Sequence, residues 1–390
     1  MKDWKESLRR LHLRLRRKQS GAARGYHPYR GGRQPVRWFV WLLWAIVPAV
    51  CTGLIWMISH KSAAAGAFLR SAAQTVAACI SRITGLLPIP VNEWLIGGVV
   101  VWVLYRLISG ILRRRWETLA RGACRLVFFA SLCVFLFMSL FMVQHSAPAL
   151  ADRLGLEVEL YSQAQLEEFG YYAAEQVNRL AEQVSRNDGG DCDFGSFRAL
   201  SQAVEAEYET LAADCPVFDV PRPGPVKRSL LGGRIMSLVD LAGYYFPWTG
   251  ESIVSSDVVD SHIPFDIAHE RAHALGLGPE AECNFAAWLA LKDSADVRLQ
   301  YSAWFNAYIY VSNALYRQDR EASAALAQTL CDPARHDIQV LNTSLARFEG
   351  PLNRAGNAIN NAYIKSTGQP DGVRSYGKVV DLLLAYYLAQ

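Results

Sequence analysis

The chain has 390 residues, of which 51% are hydrophobic, and a formal net charge of +4 at pH 7. This is more apolar sequence than one soluble core needs, and the small net charge hides two regions of opposite sign. Its eight cysteines include no CxxC pair, so the sequence gives no signal for a metal site built on thiolates.

The first segment of the chain is strongly basic. Residues 1–37 contain 12 Lys or Arg and 2 Asp or Glu. Such a tail is typical of nucleic-acid binding, but it directly precedes a long apolar run. A cytoplasmic tail attracted to anionic lipids explains it more simply, and we expect no nucleic-acid partner.

Three apolar runs follow, at about 38–58, 94–112 and 126–143. The first and third are long enough to cross a bilayer, and the second is interrupted only by Arg106 near its end. The sequence therefore predicts a membrane region at 38–143 with three transmembrane helices. Residues 63–89 contain Arg70 and Arg82, which favour an interfacial or external helical hairpin; a span there would invert the topology.

The distribution of charge predicts the orientation. The loop at 113–125 is basic like the N-terminal tail, whereas residues after 143 hold 19 basic and 32 acidic side chains. By the positive-inside rule, the N-terminus and this loop are cytoplasmic. We thus expect a multi-pass protein of the cell membrane, with the lipid bilayer as a partner and residues 144–390 as an extracytoplasmic domain.

The C-terminal domain is predicted to be mainly α-helical. A capping box at Ser162 opens a helix to about residue 186, and a second helix runs from about 197 to 213. Cys192 and Cys215 flank that second helix and are a candidate disulfide. The aromatic segment 244–251 is a strand or an ordered loop beside the next helix. It forms either the substrate-facing wall of a cleft or a packed cover.

The most specific motif is HERAH, an HExxH sequence at residues 269–273. On a helix His269 and His273 share one face, as two ligands of a zinc ion must. Glu270 is turned aside and could act as the general base on a water molecule, the metallopeptidase use of this motif. The surrounding residues are apolar on nearly every side, so we expect a buried helix.

The third zinc ligand is expected soon after the motif. Residues 276–279, GLGP, end the helix and start another. On the second helix Glu280 and Asn284 share a face, so Glu280 could bind zinc while Asn284 orients a ligating histidine. Glu282 lies about 200° round the helix and is the alternative ligand.

The chain resembles domain-of-unknown-function family 3810, bacterial membrane proteins with three spans and a C-terminal HExxH domain. The resemblance is carried by FPWTGE at 246–251, IPFDIAHERAH at 263–273, EAECNF at 280–285, YS at 301–302 and the segment 361–387. It implies a zincin-like metallopeptidase domain, and it names no substrate.

A narrower resemblance concerns the ligands. HExxH followed by a glutamate four residues before an asparagine is similar to the zinc site of bacterial metallopeptidases that cleave phage and stress-response repressors. This resemblance implies His269, Glu270, His273 and Glu280 with support from Asn284, and it does not require Glu282. The shorter ligand spacing and the external location argue against a repressor substrate here.

Together these observations predict a membrane-anchored zinc metalloprotease acting on a peptide or protein substrate, with Glu270 as general base. Tyr363, Arg374 and Tyr376, in the C-terminal family motif, are candidate oxyanion or substrate contacts; for Arg374, pairing with Asp371 is the alternative. Two other functions stay open: a non-catalytic protein of envelope assembly with a structural zinc site, and a zinc hydrolase of non-peptide substrates.

Overall fold

The structure, a computed structural model, describes residues 39–114, 116–159, 161–366 and 376–390. The basic N-terminal tail therefore lies outside the described residues. The helices are α1 (Val40–Lys61), α2 (Ala63–Gly85), α3 (Val91–Leu112), α4 (Trp116–Leu140), α5 (Leu150–Leu154), α6 (Gln163–Ala181), α7 (Phe197–Asp214), α8 (Gly233–Leu238), α9 (Ile263–Ala274), α10 (Glu280–Leu291), α11 (Val297–Gln318), α12 (Arg320–Gln328), α13 (Asp332–Ala346), α14 (Pro351–Ser366) and α15 (Tyr376–Leu388). Short 3-10 turns occur at Met142–Ser146 and Pro216–Phe218.

Helices α1 to α4 are each long and apolar enough to cross a membrane. The three predicted spans correspond to α1, α3 and α4, although α4 begins ten residues before the predicted segment. Helices α1 and α4 pack in parallel: the Ser131 hydroxyl donates to the Ala45 carbonyl at 2.7 Å, and the rings of Trp41 and Phe128 lie 5.5 Å apart. Large apolar side chains on α1, α3 and α4 are exposed to the surroundings, as expected for helices that face lipid.

Helix α2 corrects the expectation of a hairpin at 63–89. It is one continuous helix whose small buried residues pack against the C-terminal domain. The Gln74 amide donates to the Ala274 carbonyl at 2.8 Å, the Arg82 guanidinium to the Arg222 carbonyl at 2.7 Å, and the Thr84 hydroxyl to the Thr249 carbonyl at 2.9 Å. A hairpin would have broken this row of contacts, which one continuous helix of 23 residues provides.

A three-stranded sheet lies beside α2 and α9. Its strands are β1 (Lys227–Arg228), β2 (Gly243–Phe246) and β3 (Glu251–Val254), in the order β1-β3-β2. Strand β3 pairs in parallel with β1 and antiparallel with β2. The predicted extended segment thus forms β2, a turn and the start of β3. Gly250 in this turn has a φ of 63° and approaches α2 so closely that a Cβ would lie 2.8 Å from the Ala77 carbonyl oxygen.

The core of the C-terminal domain is helical. Helices α6, α9, α10, α11 and α15 bury their apolar faces against one another. The Trp288 ring of α10 packs edge-on against Trp304 of α11 at 5.5 Å and Tyr386 of α15 at 5.4 Å. The predicted capping box at Ser162 is present at the start of α6, which ends at Ala181 rather than near residue 186.

The expected disulfide is not formed. Cys192 and Cys215 are both free thiols. The Cys192 thiol donates to the Asp337 carboxylate at 3.4 Å, and burial is the main reason that its pKa is raised above the ordinary value. The polar segment around Cys192 is instead held by Arg186, whose guanidinium pairs with Asp337 at 2.8 Å.

Candidate metal centre

Helix α9 carries the HExxH sequence and is enclosed on nearly every side, as predicted. Pro264 lies in its first turn, and the chain leaves it through Gly276 at a φ of 93°, a left-handed conformation that favours glycine. Arg271 points away from the histidines, donates to the Gly224 carbonyl at 2.7 Å and pairs with Glu205. The other polar side chains of this buried helix need partners or a ligand.

Three of the predicted ligand side chains converge. His269 and His273 lie one turn apart with ring centroids separated by 4.9 Å. Glu280 is the first residue of α10, and its Oε2 lies 3.2 Å from His269 Nε2 and 3.6 Å from His273 Nε2. All three ligand atoms lie within 4.8 Å of one another, so a single metal ion could contact all of them.

The outer nitrogen of each imidazole is held by a hydrogen-bond acceptor. His269 Nδ1 lies 2.7 Å from the Asn284 side-chain oxygen, and His273 Nδ1 lies 3.0 Å from the Leu277 carbonyl oxygen. Because these oxygens accept, each Nδ1 carries a proton, and each Nε2 faces Glu280. A carboxylate beside two Nε2 atoms needs either protons on those nitrogens or a metal cation between the three groups, and two imidazoles with one carboxylate suit zinc.

The charge state of Glu280 agrees with this arrangement. Burial alone would raise the pKa of Glu280, but the neighbouring His273 and His269 hold it below its ordinary value. Glu280 is therefore an anion at neutral pH, the form that binds a metal ion.

Glu282 lies elsewhere. Its carboxylate accepts a hydrogen bond from the Leu150 backbone N–H at 2.9 Å, at the start of α5. This interaction caps a short helix, in keeping with the structural role open to whichever glutamate does not bind metal. Asn284, in contrast, lies where the sequence predicted it, against a ligating histidine.

Glu270 lies beside the three converging side chains without contacting them through a hydrogen bond. It is 4% exposed, and among the described residues its Oε2 has no hydrogen-bond partner. Burial raises the pKa of Glu270 to about 8. The carboxylate packs against Gly243 of β2, where a Cβ would collide with it. A glycine at this position leaves room for the carboxylate.

A cleft of about 720 Å³ opens over these residues. One wall is the predicted aromatic segment, since Tyr244, Tyr245 and Trp248 line it. Another wall comes from the end of α4, where Phe137 and, directly after the helix, Phe141 reach the cleft. Of the two roles considered for the aromatic segment, its position corresponds to the wall of a cleft.

Sequence reasoning missed two polar residues of this cleft. His262, directly before α9, and Asp266, in its first turn, precede Glu270 at successive intervals of four residues, and both line the cleft. His262 Nε2 and Asp266 Oδ2 are buried atoms without hydrogen-bond partners among the described residues. The four-residue spacing back from Glu270 was the signal that could have identified them.

The candidate oxyanion and substrate contacts are not described. Arg374 lies outside the described residues. Tyr363 belongs to α14 and Tyr376 begins α15, but their side chains also lie outside the described part of the structure. Their predicted role stays a prediction.

No curated protein and no solved structure is a significant match to the chain. A family profile covers most of it, from residue 69 to residue 384. This range includes most of α2, the apolar helices α3 and α4, the sheet and every residue of the candidate metal centre. The chain belongs to the family described as "Protein of unknown function (DUF3810)".

Proposed function

We propose that this protein is a membrane-anchored zinc metalloprotease. The observation that carries the proposal is the placement of Glu270 beside three converging ligand side chains, as a buried carboxylate whose Oε2 has no hydrogen-bond partner among the described residues. A purely structural metal site has no use for such a group, and leaving it unpaired costs stability. Retaining it is understandable if it handles a proton during catalysis.

His269, His273 and Glu280 would hold the zinc ion, and Asn284 and the Leu277 carbonyl would fix the two imidazoles. When bound, zinc supplies Lewis acidity for the attack of water on a carbonyl carbon. Glu270 accepts the proton of the attacking water and then delivers it to the departing amine. Its pKa near 8 before metal binding reflects a site with little water of its own.

Two other functions compete with this one. A structural zinc site in an envelope-assembly protein is expected to have four protein ligands, whereas three ligand side chains group together among the described residues. A zinc hydrolase of esters or other non-peptide substrates would use the same residues. The cleft of about 720 Å³ has room for a segment of polypeptide, and cleavage of peptides compared with esters would distinguish the two.

The proposal includes an orientation. Helices α1, α3 and α4 cross the membrane, α2 lies against the external domain, and residues 1–37 and 113–125 are cytoplasmic. The contacts of α2 with the C-terminal domain and the basic residues of the two cytoplasmic segments support it. An alkaline phosphatase fused after residue 150 should be active, because it would be carried outside the cytoplasm. A fluorescent protein fused at the same position should be dark, because it would be exported with the domain before it folds.

The decisive experiment replaces Glu270 by Gln in the full-length protein, with Glu282→Gln as a matched control. We expect Glu270→Gln to keep its zinc and its thermal unfolding temperature and to lose activity by at least about 100-fold. Comparison of the membrane proteome and culture medium would reveal substrates that accumulate uncleaved in Glu270→Gln only. Identical proteolytic products in wild type and Glu270→Gln, with unfolding on zinc removal, would instead establish a structural site.

A further inference from the structure

The metal-ligand cluster lies against the end of a membrane helix. The Phe141 ring, directly after α4, is 5.8 Å from the His273 ring and 5.6 Å from the Tyr245 ring. One helical turn earlier, Phe137 stacks on Trp248 at 5.7 Å. The wall of the cleft therefore continues into α4 without a gap.

The depth of these aromatic residues follows from the length of the apolar segment. No charged residue occurs between Arg125 and Val143, and these 18 residues span about 27 Å as a helix, close to the hydrocarbon thickness of about 30 Å. Phe137 and Phe141 fall in its last two turns, at the outer edge of the hydrocarbon. Trp248 is half-buried at the same level, with its indole N–H donating to the Cys133 carbonyl at 3.2 Å.

The start of α3 ties a second wall of the cleft to the membrane. The Asn92 amide donates to the Tyr244 hydroxyl at 2.7 Å. The next residue, Glu93, accepts hydrogen bonds from the backbone N–H groups of Leu230 and Leu231 at 3.1 and 2.7 Å. Both leucine side chains are more than half exposed, beside the first turn of a lipid-facing helix. Apolar side chains at such a place belong in the bilayer interface.

The cleft has both aromatic and polar walls. Phe137, Phe141 and Trp248 line it where α4 ends, and its polar lining side chains include Asp240, Asp257, His262, Asp266 and Asn306. A polypeptide that leaves the bilayer offers both kinds of segment, an apolar anchor and a polar external stretch.

We infer that the substrates are membrane-anchored polypeptides, cut at a peptide bond within about five residues of the bilayer surface. This inference rests on the proposed protease function and specifies its substrate class. An extended chain covers about 3.3 Å per residue, so five residues reach about 16 Å from the surface. That distance is sufficient for a site whose ligand His273 contacts the end of a membrane helix.

The test uses the full-length protein in phosphatidylethanolamine–phosphatidylglycerol vesicles with zinc. One probe is a pool of random 12-residue peptides carrying a dipalmitoyl anchor at either end, since two chains are needed for stable anchoring. The second probe is the same pool without lipid. The third places a Gly/Ser spacer of 20 residues between the anchor and the random segment. Mass spectrometry reports the rate and the position of cleavage.

We expect the directly anchored pool to be cut at least tenfold faster than the free pool, at bonds clustered within about five residues of the anchor. The spacer should slow cleavage of the random segment several-fold, although it leaves the peptides on the same vesicles. Equal rates for the three pools, or cuts spread evenly along the anchored peptides, would overturn the inference while leaving a protease. Absence of cleavage of every pool by wild type, as by Glu270→Gln, would overturn the proposed function itself.

Discussion

The two faces of strand β3 meet two very different polar regions. On one face, Glu251 is fully satisfied: it accepts from the Lys227 ammonium at 2.6 Å, from the Thr249 hydroxyl at 2.8 Å and from the Val91 and Asn92 backbone N–H groups at 2.8 Å each. The Lys227 ammonium also donates to the Thr84 carbonyl, in the last turn of α2, and to the Ile89 carbonyl, in the α2–α3 connection. We call this region the anchor network, and it fixes the start of α3 to the sheet.

On the other face, Ser252 donates to the Glu270 backbone carbonyl at 2.8 Å and leads to the metal centre. There the carboxylates of Glu270 and Asp266 each keep an oxygen without a partner among the described residues. The polar groups of the anchor network bond to one another, whereas those of the metal centre line the same cleft. Buried polar groups that are satisfied hold a fold together, and those that converge without partners indicate a ligand.

The largest expected effect is on stability, when a glutamate of each region is replaced by glutamine. Glu251→Gln leaves the Lys227 ammonium buried without a counter-charge and should lower the free energy of unfolding by about 3 kcal/mol. Glu270→Gln removes only a desolvated carboxylate and should leave stability equal or higher. Thermal unfolding of both variants in detergent, without zinc, measures the difference. Equal stabilities would mean that the paired Glu251 and the unpaired Glu270 contribute alike to the free energy of unfolding, contrary to the comparison.

The second prediction concerns zinc itself. A ligand that binds only the folded state at 100 times its Kd stabilises by about 2.7 kcal/mol. Glu280→Ala should lose this zinc-dependent rise in unfolding temperature, and Glu282→Ala should keep it, because the Glu282 carboxylate is engaged by Leu150. Each variant is compared with itself in chelator, so the stability that Glu282→Ala loses with its helix cap does not affect the zinc-dependent difference. A reversed result would identify Glu282 as the ligand.

A smaller effect is expected from the residue behind the ligands. Asn284→Ala removes the acceptor that holds His269 Nδ1 and should weaken zinc binding by about 10–100-fold, with the fold retained. Competition with a chromogenic chelator gives the affinity directly. Unchanged affinity would mean that His269 is oriented by packing alone.

Local sequence patterns predicted the parts of the molecule that are local in the chain. The apolar runs predicted α1, α3 and α4, and the spacing of four residues from Glu280 to Asn284 placed the carboxylate and the amide on one face of α10. Both features depend only on helical geometry and on hydrophobicity over short segments.

The predictions that were wrong concern contacts between segments distant in the chain. Gln74 contacts Ala274 across 200 residues, and nothing in the Ala-rich sequence of α2 specifies that partner. Likewise, Cys192 lies in a polar segment like a disulfide cysteine, but the fold gives it Asp337 as its neighbour. Such pairings arise from the arrangement of whole elements, which periodicity does not contain.

The smallest predicted effect tests the unpaired groups of the cleft through pH. Burial raises the pKa of Asp266 to about 7, well above the ordinary value near 3.9 in the unfolded chain. The folded protein therefore holds this proton more tightly than the unfolded chain does. The resulting stability is fully present below about pH 4 and is lost as the pH rises through about 7.

Asn resembles the protonated acid at every pH. The free energy of unfolding of Asp266→Asn should therefore increase relative to that of wild type between pH 5 and pH 8. Because the side chain is partly exposed to the cleft, we expect a gain of about 1 kcal/mol, less than for a fully enclosed acid. The free energy of unfolding of both proteins is measured in chelator at pH 5 and at pH 8. The advantage of Asp266→Asn over wild type at pH 8, minus its advantage at pH 5, is the predicted gain. Destabilisation by Asp266→Asn that does not vary with pH would mean that Asp266 is ionised and partnered, like Glu251, and that the metal centre resembles the anchor network after all.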